Sequence, residues 1–264
     1  MTKIAVLSDI HGNSIALQAV LANLHTQNNI DYLLVLGDLA VFGPDPAGVL
    51  RLLQGQKHIV YVAGNTDRYL IEKKYPTGSS PSSWQSKVLA SFSWTASQLS
   101  DTDLQFLAKQ HRSLYFTLAE DHKILAVHGS PRSDEEGVRL ETTEFQLKEM
   151  LSSRLAYNLL LCAHTHIPLD RRIDGWRVVN TGSVGLPFDG DPRASYVVVH
   201  LQADGDYQVE FRRVAYDVEA VINQLCAVDH PAAVIQAYNL RAARPLSQDL
   251  LYSEAMRQGH AIPN

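Results

Sequence analysis

The chain has 264 residues, of which 45% are hydrophobic and 19% charged, and its formal net charge is −5 at neutral pH. This apolar content is enough to fill a sizeable core, in one large domain or two small ones. The acidic balance, with Lys and Arg scattered, argues against a general nucleic-acid-binding surface. Two cysteines are too few to indicate a disulfide framework. No apolar run approaches the ~20 residues that cross a bilayer and the N-terminus lacks a secretory pattern, so we predict a cytoplasmic protein without membrane contact.

The first half of the chain alternates short apolar runs with helical patterns. Strand-like runs occur at Lys3–Ser8, Tyr32–Leu36 and His58–Ala63, and helical patterns occur at Ser14–Thr26 and Asp45–Gln54. This order predicts a βαβαβ unit with parallel strands and right-handed crossovers. In such sheets, ligands bind beyond the carboxyl ends of the strands.

The pattern changes between residues 69 and 112. A stretch rich in Pro, Gly and Ser is followed there by two helical segments, Trp84–Leu99 and Asp101–Gln110. Ser100 precedes the second segment as a typical N-cap residue. We expect a helical cap at 69–112, inserted into a main domain at 1–216, and a C-terminal helical extension at 217–264 that packs on the same domain.

Hairpin signals dominate the second half. Leu114–Leu118 and Lys123–Val127 flank a polar turn. The dipeptides Asp174-Gly175 and Asp204-Gly205 each separate two apolar runs, which is a strong hairpin signal. The second half is therefore predicted to be largely antiparallel.

Seven residues of metal-ligand type occur in the chain, most of them directly after an apolar run. They are two carboxylates, one amide and four imidazoles: Asp9, His11, Asp38, Asn65, His128, His164 and His166. Mixed oxygen and nitrogen donors suit Mn, Fe, Zn or Ni rather than Ca, which prefers oxygen alone. Seven ligands are too many for one ion. The set predicts two divalent ions that share a bridging carboxylate and a bridging water, an arrangement suited to in-line attack on phosphorus.

Each group of donors has a simpler explanation when taken alone. Asp9 can cap the next helix, Asn65 can be a turn residue, and His164 with His166 can be an unpaired couple at a strand end. Residues two apart at a strand end point to the same side, however, so Asp9 and His11 can face one ion. Asp38 follows the neighbouring strand and is placed to bridge.

Six short motifs follow one another between Lys3 and about Val214. They are Ser8-Asp9-Ile10-His11-Gly12-Asn13, Gly37-Asp38, Gly64-Asn65-Thr66-Asp67, Val127-His128-Gly129-Ser130-Pro131, His164-Thr165-His166 and Asn180-Thr181-Gly182-Ser183-Val184-Gly185. This series resembles the calcineurin-like metallophosphoesterases, in particular the small bacterial phosphodiesterase-like branch related to diadenosine tetraphosphatases. The resemblance implies an α/β fold, a four-layer α-β-β-α sandwich in which two mixed sheets face each other between helices.

The resemblance also assigns the ligands. It gives one metal to Asp9, His11 and His166, the second metal to Asn65, His128 and His164, and the bridging role to Asp38. The family's Gly-His-x-His motif begins here with Ala163, a small-for-small change that leaves the ligands intact.

The third motif departs from the family in a way that affects chemistry. Many members carry a histidine between its Asn and Asp, where it protonates or stabilises the leaving group, whereas this chain has Thr66. A threonine hydroxyl donates a hydrogen bond but is not a general acid near neutral pH. By resemblance, Asp67 orients a ligand from outside the metal shell, and its alternative role is a helix N-cap. Asp38, Asn65, Thr66 and Asp67 are thus the predicted catalytic residues.

Together these features predict a dinuclear-metal-dependent phosphoesterase. We expect it to cleave phosphodiester or phosphoanhydride bonds of a small, nucleotide-like substrate by attack of a metal-bridged hydroxide. Arg68, Arg132 and Arg193 are candidates for holding a non-reacting phosphate, and each is alternatively a solvated surface arginine. The alternatives are a phosphomonoesterase or protein phosphatase, or a non-catalytic metal-binding scaffold. The sequence does not identify the natural substrate or the metal. It also leaves the oligomeric state open between a monomer and a homo-oligomer.

Overall fold

The computed structural model describes residues 2–26, 30–75, 83–119, 122–152, 157–202 and 206–246. The strands are β1 (Lys3–Leu7), β2 (Tyr32–Val35), β3 (Ile59–Tyr61), β4 (Ser113–Ala119), β5 (His122–Val127), β6 (Leu159–Cys162), β7 (Pro168–Ile173), β8 (Trp176–Thr181), β9 (Ala194–Leu201) and β10 (Tyr207–Val214). The helices are α1 (Ser14–Thr26), α2 (Pro46–Gln54), α3 (Asn65–Glu72), α4 (Ser83–Gln98), α5 (Asp101–Ala108), α6 (Glu144–Leu151), α7 (Val218–Ala227) and α8 (Ala233–Ala242).

The strands form two five-stranded sheets, ordered β10-β9-β1-β2-β3 and β4-β5-β6-β8-β7. In the first sheet, β1, β2 and β3 are parallel, as the βαβαβ pattern predicts, and β9 and β10 extend it antiparallel. In the second sheet, β5, β6 and β8 are parallel to one another, while β4 and β7 are antiparallel to their neighbours. The expectation of a largely antiparallel second half is wrong for β5, β6 and β8, because α6 lies between β5 and β6 and such a crossover places strands parallel.

Alternate residues of the central strands face different apolar layers. In β1, Ile4 and Val6 lie in the layer between the sheets, together with Leu161 of β6. Ala5 faces the opposite side, where α1 and α2 pack, and Leu160 faces the side covered by α6. Strands buried on both faces need continuous apolar runs, which explains the sequences of β1 and β6. The layers are helix, sheet, sheet and helix, so the predicted four-layer sandwich is confirmed.

One predicted hairpin can be followed through its turn. Asp174 and Gly175 join β7 to β8 with φ angles of 47° and 81°, and left-handed backbone at both central residues is the mark of a type I′ turn. The β9–β10 and β4–β5 pairs also form. Their turns, which include Asp204-Gly205, lie outside the described residues.

The segment predicted as a cap contains the end of α3 together with α4 and α5, and residues 76–82 lie outside the description. Ser100 caps α5 by accepting a hydrogen bond from the backbone N–H of Asp103 at 3.2 Å. In the predicted C-terminal extension, α7 and α8 form an apolar cluster with Leu186, and residues from 247 onward are not described. The division into main domain, cap and extension stays a prediction. Among the described helices, none is both long and apolar enough to cross a membrane.

Candidate metal centre

The seven candidate ligands all lie just beyond strand ends. Asp9 and His11 follow β1, Asp38 follows β2, Asn65 begins α3 after β3, His128 follows β5, and His164 and His166 follow β6. Parallel strands in each sheet place these carboxyl ends at one edge of the sandwich, so loops from both sheets converge there.

The backbone of this edge is strained. Left-handed φ angles occur at Asp9 (50°), His11 (50°), Asp38 (55°), His164 (69°) and His166 (59°). Such angles are uncommon for residues other than glycine, and each costs roughly 1–3 kcal/mol. The fold sustains this cost where several side chains must be directed toward one small volume.

Two glycines allow the Asp38 and Asn65 loops to touch. A Cβ on Gly37 would collide with the backbone of Gly64, and a Cβ on Gly64 would collide with the carboxylate of Asp38. Gly37 also has a φ of 84°, which a residue with a side chain rarely adopts. The contact between the loops therefore depends on both glycines.

Asp9, His11 and His166 form the first donor group. The Nε2 atoms of the two imidazoles are 3.1 Å apart, and Asp9 Oδ1 lies 3.4 Å from Nε2 of His166. Each imidazole donates its Nδ1–H to a backbone carbonyl, His11 to Val41 at 2.9 Å and His166 to Leu186 at 2.5 Å. Because a carbonyl only accepts, the protons are fixed on Nδ1 and both Nε2 lone pairs face inward.

Asn65, His128 and His164 form the second donor group. Asn65 Oδ1 lies 3.1 Å from Nε2 of His128 and 3.0 Å from Nδ1 of His164. His128 donates its Nδ1–H to the backbone carbonyl of Leu36 at 2.6 Å, so its Nε2 faces Asn65. The three donor atoms of this group also converge.

Asp38 stands between the two groups. Its Oδ2 is 3.7 Å from Nε2 of His11 in the first group and 3.6 Å from Nε2 of His128 in the second. Its Oδ1 accepts the backbone N–H of Thr66 at 2.9 Å, which fixes the rotation of the carboxylate. This is the placement that a bridging ligand needs.

The residues fit a divalent cation in each group. In the first group, the two imidazole lone pairs approach one another at 3.1 Å with no proton between them, an arrangement that is repulsive unless a cation lies among them. In the second group, the donor atoms lie 3.0–3.1 Å apart, close enough to share one cation. Asp9 Oδ1 is buried and has no hydrogen-bond partner within the described part of the chain. A buried, unsatisfied carboxylate oxygen is costly, and a cation satisfies it. The donor set suits a metal of borderline hardness.

Burial keeps most of the imidazoles neutral, the form that binds metal. It lowers the pKa of His11 and lowers that of His166 well below its ordinary value. It also lowers the pKa of His164 to about 4. The exception is His128, where burial is outweighed by the carboxylates of Asp38 and Asp9, and the pKa rises.

The two carboxylates of the centre behave differently. Burial raises the pKa of Asp9 to about 7. Burial acts in the same direction on Asp38, but the imidazoles of His128, His11 and His164 outweigh it and lower its pKa to about 2. Asp38 is thus a permanent anion between the two groups.

Asp67 supports the centre from behind. Its carboxylate accepts the backbone N–H groups of Asp38 at 2.8 Å, of Leu39 at 3.0 Å and of Gly64 at 3.1 Å. It is the third residue of α3, and Gly64 is the N-cap, so the alternative of Asp67 as N-cap is wrong. The side chain ties the Asp38 loop to the start of α3. Its pKa, raised to about 6 mainly by burial, reflects this enclosed position.

A second set of supporting residues follows β8, and the sequence interpretation gave them no role. Ser183 Oγ donates to the backbone carbonyl of Asp9 at 2.7 Å, and the N–H groups of Val184 and Gly185 donate to Ser8 and Asp9. Ser8 Oγ in turn lies 2.8 Å from Asp9 Oδ2 and donates to it. These residues belong to the last of the six motifs, so the sequence did contain a signal for them. Their hydrogen bonds hold the Asp9 loop in its strained conformation.

Thr66 is a predicted catalytic residue, and the three arginines are predicted to hold a non-reacting phosphate. Thr66 is buried, and its Oγ1 has no hydrogen-bond partner among the described residues. Arg68 pairs with Asp134, Glu135 and Glu72, Arg132 with Glu136, and Arg193 with Asp191. Each guanidinium must therefore leave its carboxylate partner, or bind the phosphate beside it, in order to hold a substrate. The substrate-binding roles of the arginines stay predictions.

A cavity of about 460 Å³ lies among residues of α3, α5, β4 and the loop after β5, and none of the seven candidate ligands is part of its lining. Its walls include Ala63, two residues before Asn65, and Val127, directly before His128. Arg68 and Arg132 also line it. The volume falls in the range of small-molecule pockets, roughly 300–1,000 Å³.

Comparison with known proteins agrees with this geometry. The family model described as calcineurin-like phosphoesterase superfamily domain matches residues 2–204. An uncharacterized protein of Methanocaldococcus jannaschii is 26% identical over 241 residues, which are 84% of this chain and 91% of that protein.

Two solved structures share the architecture. A metallophosphoesterase from Sphaerobacter thermophilus is 27% identical, with a TM-score of 0.73, over 92% of this chain and 99% of that one. A hypothetical protein from Pyrococcus horikoshii is similar in fold, with a TM-score of 0.79 at 22% identity, over 93% of this chain and 100% of that one. With the family model matching most of its length, the chain belongs to the calcineurin-like phosphoesterase superfamily of metal-dependent phosphate-ester hydrolases.

Proposed function

We propose that the protein hydrolyses phosphodiester or phosphoanhydride bonds of a small, nucleotide-like substrate at a dinuclear metal centre. The observation that carries the proposal is the position of Asp38 Oδ2, 3.7 Å from one donor group and 3.6 Å from the other. One carboxylate oxygen between two converging sets of lone pairs suits two ions rather than one. When bound, two divalent cations polarise phosphoryl oxygens and acidify a water molecule.

The residues of the chain contribute charge and orientation. Asp9 and Asp38 supply two negative charges against the four positive charges of two divalent cations, so the site keeps a net positive charge that attracts a phosphate. The backbone carbonyls of Val41, Leu186 and Leu36 hold three of the imidazoles by their distal N–H groups. Asp67 fixes the Asp38 loop. Such outer contacts keep the ligands in place without reorganisation during the reaction.

The preference for diesters and anhydrides rests on Thr66 and on the neighbouring cavity. A threonine cannot protonate a poor leaving group, so substrates whose leaving group is stable as an anion are favoured. The 460 Å³ cavity, lined by Arg68 and Arg132, has room for the non-reacting part of a nucleotide-sized molecule. Both features favour a small substrate over a phosphoprotein.

A metal-by-substrate panel tests this proposal. Protein reconstituted with Mn, Fe, Zn or Ni is assayed on bis-aryl and mono-aryl phosphates, dinucleoside polyphosphates, cyclic nucleotides and a phosphoserine peptide, with Asp38→Asn as the inactive control. We expect the aryl diester and the polyphosphates to be cleaved well above the peptide. Fastest turnover of the phosphopeptide or of an alkyl monoester would favour the phosphomonoesterase alternative. A metal-loaded protein with no turnover on the panel would favour a scaffold.

A further inference from the structure

Three arginines line the cavity described above, and they differ in how their charge is balanced. They are Arg68, Arg112 and Arg132. Arg68 and Arg132 are each paired with carboxylates of α3 or of the loop after β5. The guanidinium of Arg112 has neither an ion pair nor a hydrogen bond within the described part of the chain. Because its N–H donors are unused there, Arg112 is the lining arginine best able to hold an anion.

The backbone of Arg112 is anchored on both sides. Its neighbour His111 exchanges two backbone hydrogen bonds with the chain at the end of β3, at 2.8 and 3.3 Å. Its other neighbour, Ser113, pairs with the last residue of β5. These two strands lead into the segments that carry Asn65 and His128, two candidate ligands of the second donor group. Arg112 is thus held between the strand ends that deliver those ligands.

Gln110 adds a second unsatisfied group to the lining. Neither Nε2 nor Oε1 of its amide has a hydrogen-bond partner among the residues that the structure describes, and both atoms are shielded from solvent. A shielded amide without partners is costly. Since Gln110 lines the cavity, an acceptor bound there is a partner toward which its N–H group can turn. The unpaired cation and this amide both favour an anionic ligand.

The remaining lining suits the organic part of a nucleotide. Ser113 and Tyr115, two residues apart in β4, both belong to the lining, as alternate residues on one face of a strand do. The Tyr115 side chain is 42% exposed, and an exposed aromatic ring is a surface on which a base stacks. A guanidinium fork matches the oxygens of a phosphate. The cavity therefore combines a place for a phosphate with a place for a nucleoside.

We propose that this cavity binds a second, non-reacting phosphate of a nucleotide substrate, and that Arg112 holds it. The inference rests on the proposed dinuclear function, which places the reacting phosphate at the two donor groups. It moves the phosphate-binding role from Arg68 and Arg132, whose donors carboxylates engage, to a residue that the sequence interpretation did not select. Nucleotides with two or more linked phosphates use both places, whereas a simple diester uses one.

Arg112→Gln tests the proposal with two substrates that differ in their number of phosphates. Arg112 is exposed, so the change removes its charge without disturbing the core. In metal-loaded protein, the loss in kcat/KM should be roughly 10-fold larger for diadenosine tetraphosphate than for bis-p-nitrophenyl phosphate, which has one phosphate. Arg172→Gln is the matched control, because Arg172 is an exposed arginine of β7 that does not line the cavity. A loss that is equal for the two substrates, or absent, would overturn the proposal.

Binding of a nucleotide that is not cleaved separates this inference from the proposed function. In α,β-methylene-ADP, a carbon atom joins the two phosphates, and AMP has one phosphate. In calorimetric titration of metal-loaded protein, the wild type should prefer the methylene analogue, and Arg112→Gln should reduce that preference by roughly 10-fold. Arg172→Gln should keep it.

The two experiments fail in different ways. A wild type that binds metal but cleaves neither substrate contradicts the proposed function, while the titration still tests the phosphate subsite. A wild type without the preference for the methylene analogue, or a preference that Arg112→Gln does not change, contradicts the subsite whatever the turnover.

Discussion

The two donor groups of the centre are built by different means. In the first, Asp9, His11 and His166 are all buried, at 0%, 3% and 6% exposure, and backbone carbonyls hold both imidazoles. In the second, the backbone carbonyl of Leu36 holds His128, but His164 is partly exposed and the third donor is the neutral amide of Asn65. The first group thus offers a buried carboxylate where the second offers an uncharged oxygen. The first group should therefore hold its ion tightly, and the second should hold its ion less tightly.

The largest effect should come from the residue that belongs to both groups. In the proposed dinuclear centre, Asp38→Asn removes a charge from both ions at once, so we expect hydrolysis to fall by more than the ~100-fold that marks the upper end for outer-shell contacts. Asp67→Asn, which keeps the shape of a residue that touches only backbone N–H groups, should stay within that ~10–100-fold range. Steady-state rates on an aryl phosphodiester with saturating metal measure both.

These two variants also check the assignment of the bridge. If Asp67→Asn loses as much activity as Asp38→Asn while both remain folded by circular dichroism, Asp38 does not have the special position that its distances to His11 and His128 give it.

The next effect concerns the second group and its missing acid. Thr66→His places an imidazole on α3 directly after Asn65, and we expect alkyl phosphate esters to be cleaved about 10²-fold faster, the lower end of general-acid assistance. Aryl diesters, which need no acid, should gain little. The dependence of rate on leaving-group acidity should be steep in the wild type and flatter in the variant. Cleavage of serine phosphate by the wild type as fast as an aryl diester would show that another residue already supplies the proton.

Removing the metal should show which of the two donor groups contributes more to the stability of the fold. A ligand at one hundred times its dissociation constant stabilises the fold by about 2.7 kcal/mol, so chelation should lower the melting temperature reversibly. We expect His166→Ala, in the first group, to lose more of this stabilisation than His164→Ala, in the second. Differential scanning fluorimetry against free Mn²⁺ measures both. The reverse order would contradict the comparison drawn above, and identical melting with and without metal would argue against a tight site.

The smallest effect concerns the helices behind the first group. His230, between α7 and α8, is buried against Trp94 of α4, and burial lowers its pKa to about 4. Between that value and its ordinary pKa, the unfolded chain binds a proton that the folded chain excludes, so stability rises with pH there and is lost as pH falls. In metal-free protein, His230→Gln should reduce the loss between pH 7 and pH 5 by about 2 kcal/mol, measured by urea unfolding. If the wild type and His230→Gln lose the same stability between pH 7 and pH 5, other groups cause the pH dependence.

The structure brings the predicted donors together, because they belong to short motifs at strand ends. Asp9, His11 and Asp38 each follow an apolar run, and the parallel start of the fold is enough to bring them to one edge. The hydrogen-bond partners of those donors could not be predicted from the sequence. Leu36 and Leu186 act through backbone carbonyls, which every residue carries, so no residue type marks them.

The side-chain contacts around the centre were predicted least well, because they join residues that are far apart in the sequence. Arg68 is predicted to hold a phosphate, and the sequence does not show that Asp134 and Glu135, more than sixty residues away, pair with the same guanidinium. The parallel pairing of β5 and β6 was missed because hairpin signals on either side of them favoured an antiparallel sheet.

The central claim is that two donor groups share Asp38 and hold two ions. Anomalous diffraction from crystals of Mn- or Zn-reconstituted protein, combined with elemental analysis of the same sample, tests it most directly. We expect two ions per chain, ~3.5–4 Å apart as in other two-metal sites, one beside His11 and His166 and the other beside Asn65, His128 and His164, with Asp38 between them. A single ion at saturating metal, or two ions that do not share Asp38, would contradict the account.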